Sequence, residues 1–231
     1  ANSSEGIVIE IIADDFDVIF VSLKVSLLGI ALAFPAAVVI SWYLAKSSFP
    51  GKTIVDIFIS LPLVLPPVTV GYLLLIILGN QSPIGRALSD IGLNLVFTWV
   101  GAALAAGIVS FPLMVRSMEV SFANVDSNFE KAARSLGANP LQTFFKVTFP
   151  LAKRGVLASI VLGYARALGE FGATIVVAGN IPGQTQTLPL AIFTYLQTGN
   201  DFSALRLMVF SVVLSLVALV LHRQMNRKVC L

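Results

Sequence analysis

Five long apolar runs, near residues 18–45, 54–78, 93–118, 156–178 and 203–221, constrain this chain more than any motif does. A helix crosses the ~30 Å hydrocarbon layer with ~20 mainly apolar residues, and the runs are of that order. No water reaches that depth, so a crossing backbone must satisfy its own N–H and C=O groups, as a helix does. Charged residues are only 12% of the chain against 57% hydrophobic, about half the charged share of a soluble domain. The sequence therefore predicts an all-α integral membrane protein, a single domain over residues 1–231 with about five spans surrounded by lipid.

Several function classes drop out at once. A net charge of +3 is too small to indicate nucleic acid as a partner. The lone Cys230 and lone His222 supply neither an internal disulfide nor the ligands of a metal site, and His222, the only base of its kind, lies at the far end of the last run, so no intramembrane hydrolytic site and no catalytic residue is expected. Residues 1 to 15 hold Glu5, Glu10, Asp14 and Asp15 around an apolar patch, Ile7 to Ile12, expected to lie at the membrane interface; they lack the pattern of a signal peptide. A channel and a secondary transporter both remain compatible with composition.

Polar and special residues inside the runs are informative. In the first, Lys24 lies near the start and can snorkel, Pro35 interrupts the middle, and Trp42 and Tyr43 mark the far interface. The second carries Pro62, Pro66 and Pro67 within Leu61 to Val68, each removing a backbone donor and bending the helix. Two readings stand for this stretch, including Leu65: a kinked helix packed on its neighbours, or backbone facing a subunit interface or pathway. Gly101, Ala102, Ala103, Ala105, Ala106 and Gly107 give the third run small faces for close helix packing. In the fourth, Arg166 and Glu170 fall four apart on one helical face, as a gate or polar lining or as a self-neutralised pair locking helices. Between the fourth and fifth runs, Leu190 to Leu196 is too short to span and is expected as a short interfacial helix.

Between the third and fourth runs, residues 119–155 form a polar loop with helical pattern. Ser127 and Glu130 read as a capping box, Lys131 and Arg134 approach the negative end of the helix, and Gly137 sits where a left-handed residue would stop it. Ala132 and Ala133 leave one side nearly flat. Asn139 and Pro140 then start a second short helix, which Pro150 is expected to break. With five spans and the amino terminus outside, this loop and most Lys and Arg residues fall on the cytoplasmic side, leaving Lys24, Arg86 and Arg206 near the outer one. The carboxyl terminus is then inside.

The run Glu130-Lys131-Ala132-Ala133-Arg134-Ser135-Leu136-Gly137, followed by Val147-Thr148-Phe149-Pro150, resembles the EAA loop of ABC importer membrane subunits, with Lys131 where the usual glutamate stands and Phe149 replacing a leucine. The resemblance implies a type I ABC importer transmembrane domain in the bacterial inner membrane. It implies that Glu130, Lys131, Ala132, Ala133, Arg134, Gly137 and Pro150 couple to an ATPase. The partners implied are a second copy of the chain, two cytoplasmic ATPase subunits that bind ATP and Mg, and a periplasmic oxyanion-binding protein. The sequence itself has no Gly-rich Walker loop, and no cofactor is expected in this chain. Leu61 to Tyr72, Ala167 to Thr174 and the Asn180 to Thr187 loop are most similar to the molybdate branch of the family, with sulfate, thiosulfate or tungstate as alternatives. The pathway implied runs along a dimer axis lined by the second and fourth spans, with Leu65, Pro66, Pro67, Arg166, Glu170, Gly172 and Thr174 as pathway or gate candidates.

Overall fold

The computed structural model describes residues 2–227, with side chains from Asp15 to Gln224. Lys228 and Cys230, and the side chains of the Ile7 to Ile12 patch, lie outside the described residues. The described chain is helical throughout, with only turns and short extended connections between helices.

Three helices are individually long and apolar enough to cross a membrane: Asp15–Lys46 within α1 (Asn2–Lys46), α5 (Trp99–Ala123), and Asp201–Gln224 within α11 (Asp201–Arg227). Pro35 does not interrupt α1. The other two expected spans are each broken. Helix α2 (Lys52–Val64) turns through 108° into α3 (Pro67–Leu78), and the helical stretch Pro140–Leu168 turns through 65° into α9 (Gly172–Ala178). The second run is thus two helices rather than one kinked helix. Adjacent prolines explain this: Pro67 forces Pro66 out of the α region (φ −53°, ψ 133°) and neither residue donates an N–H.

Helix α5 is the centre of the molecule. Its start is capped by the Thr98 hydroxyl, which accepts the Gly101 N–H at 3.2 Å. The third span therefore begins at Trp99, not at Leu93; ahead of it lie α4 (Pro83–Asp90) and a non-helical segment. Ala102, Ala103, Ala105, Ala106, Val109, Met114, Val115, Met118 and Phe122 are all buried. Small residues matter because α1 meets α5 backbone to backbone. A Cβ on Gly29 would lie 2.5 Å from the Ala103 carbonyl oxygen, and one on Gly107 would lie 2.6 Å from that of Gly29. Lys24 stands beside Trp99 at one end of this pair and Lys46 beside Val125 at the other, so α1 and α5 run parallel.

On another side of α5 lies α8 (Phe149–Leu168), whose Ser159 hydroxyl donates to the Ser117 hydroxyl at 2.8 Å. Gly155 faces Ser121 and Gly163 faces Met114, so this pair is antiparallel. Helix α10 (Leu188–Gln197) is the short helix expected between the last two spans, and it packs against α1 and α11 through Leu188, Ala191, Val18 and Leu207. Arg206 on α11 pairs with the buried Asp15 carboxylate of α1.

A leucine at Gly107 has no space without separating α1 from α5. Gly107→Leu should destabilise the chain by at least about 1–3 kcal/mol, read as a lower thermal unfolding midpoint in detergent.

Candidate functional site

The polar loop folds as helix, elbow, helix. Helix α6 (Ser127–Ser135) is capped by Asp126, whose carboxylate accepts the Asn128 N–H at 2.9 Å. The Ser127–Glu130 capping box does not form. Glu130 is drawn elsewhere: its Oε1 lies 3.2 Å from Lys46 Nζ and accepts the Thr148 hydroxyl proton at 2.6 Å. A part-buried ammonium and hydroxyl attract a carboxylate more than a solvated backbone N–H does. Lys46 also donates to the Val125 carbonyl at 3.1 Å, so Glu130 ties α6 to the ends of α1 and α5 and, through Thr148, to the segment entering α8.

The helix stops at Gly137, which takes φ +89°. The Gly137 N–H donates to the Arg134 carbonyl at 3.0 Å and the Ala138 N–H to that of Ala133 at 3.1 Å, the paired closure that a left-handed residue after a helix allows. Asn139 then begins α7 (Pro140–Thr143) with a capping box: it accepts the Gln142 N–H at 2.8 Å while Gln142 accepts its own N–H at 3.1 Å. Pro150 does not break the helical run that α7 begins. A π-helical turn, Phe144–Thr148, carries α7 into α8, and Pro150 falls within the first turn of α8. The wider turn shifts the hydrogen-bond register just where proline lacks a donor.

Phe144, which sequence reasoning overlooked, pins this loop to the spans. Its ring lies 4.9 Å from Trp42, 5.9 Å from Phe122 and 5.8 Å from Phe149, centroid to centroid. The outer face is left bare: Lys131, Ala132, Arg134 and Gly137 are exposed, and so are Phe129, Leu136, Leu141 and Phe145, with Leu136 at 90%. Four large apolar side chains thus lie uncovered around a polar helix.

The two broken spans meet each other. A Cβ on Gly71 of α3 would lie 2.8 Å from the Ala173 Cα, and one on Gly172 would lie 2.9 Å from Pro67 Cβ. Pro67, Gly172 and Thr174 are thereby gathered at one seam, where the Thr174 hydroxyl donates to the Phe171 carbonyl at 2.9 Å. Gly172 and Thr174 are buried, Leu65 is half-buried, and Pro66 is exposed. Arg166 and Glu170 do not share one helical face, because α8 ends at Leu168. Their ion pair, 2.9 Å from Nη1 to Oε2, spans the break. The other oxygen of Glu170 accepts the Ala173 N–H at 2.8 Å and so caps α9, and the carboxylate is 2% exposed.

A second charged cluster also escaped the sequence. Arg116 of α5 pairs with Asp56 of α2 at 3.1 Å and with Glu119 at 3.0 Å, and donates to the Ser60 hydroxyl at 2.9 Å; Lys52 adds a longer contact to Glu119. It holds α2, which has no buried residue of its own, against α5.

Residues 29–230 match the family model of the binding-protein-dependent transport system inner membrane component. The chain belongs to this family. The permease is 44% identical over 215 residues, 92% of its length and 94% of the relative's, to the molybdenum transport system permease protein ModB of Escherichia coli K12. It is 40% identical over 167 residues to the sulfate transport system permease protein CysW of Synechococcus elongatus, covering 72% of this chain and 56% of that one. A subunit in the crystal structure of a bacterial alginate ABC transporter, in complex with an alginate-bound periplasmic protein, shares its fold with a TM-score of 0.70 at 18% identity, over 93% of this chain and 78% of that one.

Two substitutions in the permease test these contacts. Arg166→Met strands the Glu170 carboxylate and should destabilise the fold by about 3–5 kcal/mol, whereas the double variant Arg166→Met with Glu170→Met should recover only part of that, because the Ala173 N–H then loses its acceptor; chemical unfolding of the purified chain measures both. Glu130→Ala should cost α6 its tie to Lys46 and Thr148, about 1–3 kcal/mol of local stability, and so speed tryptic cleavage after Lys131 and Arg134 while cleavage after Lys153 stays unchanged.

Proposed function

We propose that this chain is the membrane-spanning subunit of an ATP-driven importer for molybdate. The observation that carries the transporter reading is α6: a capped rod with an exposed alanine and apolar face, tied by Glu130 to α1 and to the segment entering α8, which Phe144 in turn pins to α5. Such a rod passes force from an outside protein into spans. The substrate follows from the near full-length identity to a molybdenum permease, against a sulfate relative matched over little more than half its length.

The proposed assembly is a homodimer with two ATPase subunits, which bind ATP and Mg, and a periplasmic protein that delivers the oxyanion. Supporting the dimer, α2 and α3 leave Ile54, Ile57, Phe58, Leu63, Val64, Val68 and Tyr72 exposed, apolar area that no described residue covers. The proposed topology puts the amino terminus outside and α6 in the cytoplasm of a bacterial cell, with five spans when each broken pair counts as one. Basic residues support it: Lys46, Lys52, Arg116, Lys131, Arg134, Lys146, Lys153 and Arg154 gather at the α6 end, with only Lys24, Arg86 and Arg206 towards the other. Closure of the ATPase pair on ATP would drag Lys131, Ala132, Ala133 and Arg134. The pull then reaches the spans through Glu130 and through the helical stretch containing Pro150. Opening and closing of the path falls to the seam of the two breaks, with Leu65, Pro66, Pro67, Gly172 and Thr174 along it and Arg166 and Glu170 holding one angle.

Uptake of labelled molybdate, tungstate and sulfate by the complex reconstituted with its binding protein decides the reading. Molybdate uptake should require ATP and outpace sulfate; equal rates for the two would overturn the assignment. Gly137→Asp places a side chain at φ +89°, a strain of about 1–2 kcal/mol. It should lower coupled uptake or ATPase co-purification by about tenfold.

A further inference from the structure

Four arginines among the described residues are already engaged. Arg166 is held by Glu170, Arg206 by Asp15, Arg116 by Asp56 and Glu119, and Arg86 donates to the Gln81 and Ser82 carbonyls. Lys24 differs. It sits well inside the span Asp15–Lys46, its ammonium rests 3.6 Å from the centroid of the Trp99 ring, and no carboxylate among the described residues pairs with it. An indole face stabilises a cation without neutralising it.

The ammonium opens on a cavity of about 400 Å³ formed where α1, the segment before α5 and the loop after α9 converge. Lys24 is the only charged residue in its lining, and the polar side chains beside it are Asn94, Thr98 and Gln184. Thr98 is occupied in capping α5. Asn94 and Gln184 are exposed, as Lys24 is, and their side-chain amides make no hydrogen bond to any described residue, although the Gln184 backbone N–H donates to the Ile181 carbonyl at 3.1 Å. These three groups bring donors to the lining of one cavity from α1, the segment before α5 and the loop after α9, while the apolar Phe20, Val21 and Leu93 complete the wall. Donors around a single positive charge, with no carboxylate, suit a small anion with several acceptor oxygens.

We infer that this cavity binds one tetrahedral oxyanion group, held by Lys24, Asn94 and Gln184. Two sources share that chemistry: a free oxyanion arriving at this end, or the phosphate of a phospholipid headgroup. Its use as a holding place for incoming substrate rests on the importer reading and its topology. The anion chemistry does not, and its test contains no ATPase or binding protein, so a failed uptake experiment leaves the binding result standing.

Trp99 is the reporter. The chain has two tryptophans, so Trp42→Phe isolates the ring that carries Lys24. The full chain with that change is delipidated in a neutral detergent and titrated with sodium molybdate and, separately, inorganic phosphate at constant sodium chloride, while Trp99 emission is monitored. A saturable change is expected, weakened about tenfold or more by Lys24→Gln, kept by Lys24→Arg, and weakened several-fold by Gln184→Leu in the exposed loop. The same titration in phosphatidylglycerol nanodiscs separates the sources. A response unaffected by the lipid assigns the site to free oxyanion. A response abolished by it, with Lys24-dependent co-purification of phosphatidylglycerol, assigns it to headgroup phosphate. No change in Trp99 emission with either anion and no Lys24-dependent lipid retention, or equal responses in the Lys24→Gln and parent chains, overturns the proposal.

Discussion

The contact between Gly29 and Gly107, where two helices meet backbone to backbone, is the constraint on which the rest of this structure depends. In lipid, apolar side chains gain nothing by leaving their solvent, so helices associate through close packing and polar contacts. Small residues along α5 permit that packing on several sides at once, and α1 and α8 use two of them. The α1–α5 pair is then fixed along its whole length, with Lys24 over Trp99 at one end and Lys46 on Val125 at the other. It forms a rigid bar against which less regular elements can be set.

Those less regular elements are the two broken spans, and their breaks are not independent. The carbonyls of Pro62 and Leu63, which Pro66 and Pro67 cannot serve as helical donors, and the N–H groups at the start of α9 would be costly if left bare in hydrocarbon. Packing Pro67 onto Gly172 and Gly71 onto Ala173 lets each break shelter the other, and Glu170 takes the Ala173 N–H directly. Because a Cβ at either glycine would collide, the seam has little freedom to loosen gradually. It favours a small number of packed arrangements, which is what a part that moves between defined states requires.

How much of this was legible depended on how local each feature is. Gly137, Asn139 with Pro140, and α10 obey rules that act within a few residues, and they stand where the pattern put them. Ser127 lost the cap to Asp126 because Glu130 had a better partner in Lys46, far away in sequence and invisible to any short-range rule. Pro150 was misjudged for a related reason: a π turn absorbs its missing donor, and nothing in composition announces a change of helical register. Three prolines in the second run pointed to a bend, but its 108° size depends on α3 having α9 to pack upon. The spacing of Arg166 and Glu170 favoured an unbroken helix, and the break at Gly169 exists because Glu170 does two things, pairing with Arg166 and capping α9. Phe144 carried no signal beyond being aromatic, and the Arg116 cluster joins residues from two helices whose register the sequence does not state.

The charges at depth therefore serve geometry before they serve attraction. A guanidinium held by a buried carboxylate offers a passing anion little net field, since the pair is nearly neutral at any distance beyond its own length. Arg166 and Glu170 act as a strut across the 65° turn, and Arg116 with Asp56 and Glu119 does the same between α2 and α5. Along the path proposed for this seam an anion would meet backbone and small side chains, and a strongly binding centre there would slow release. Any positive charge that draws an anion in has to stand apart from these struts, and of the described lysines in the three unbroken spans Lys24 is the one whose charge no carboxylate answers.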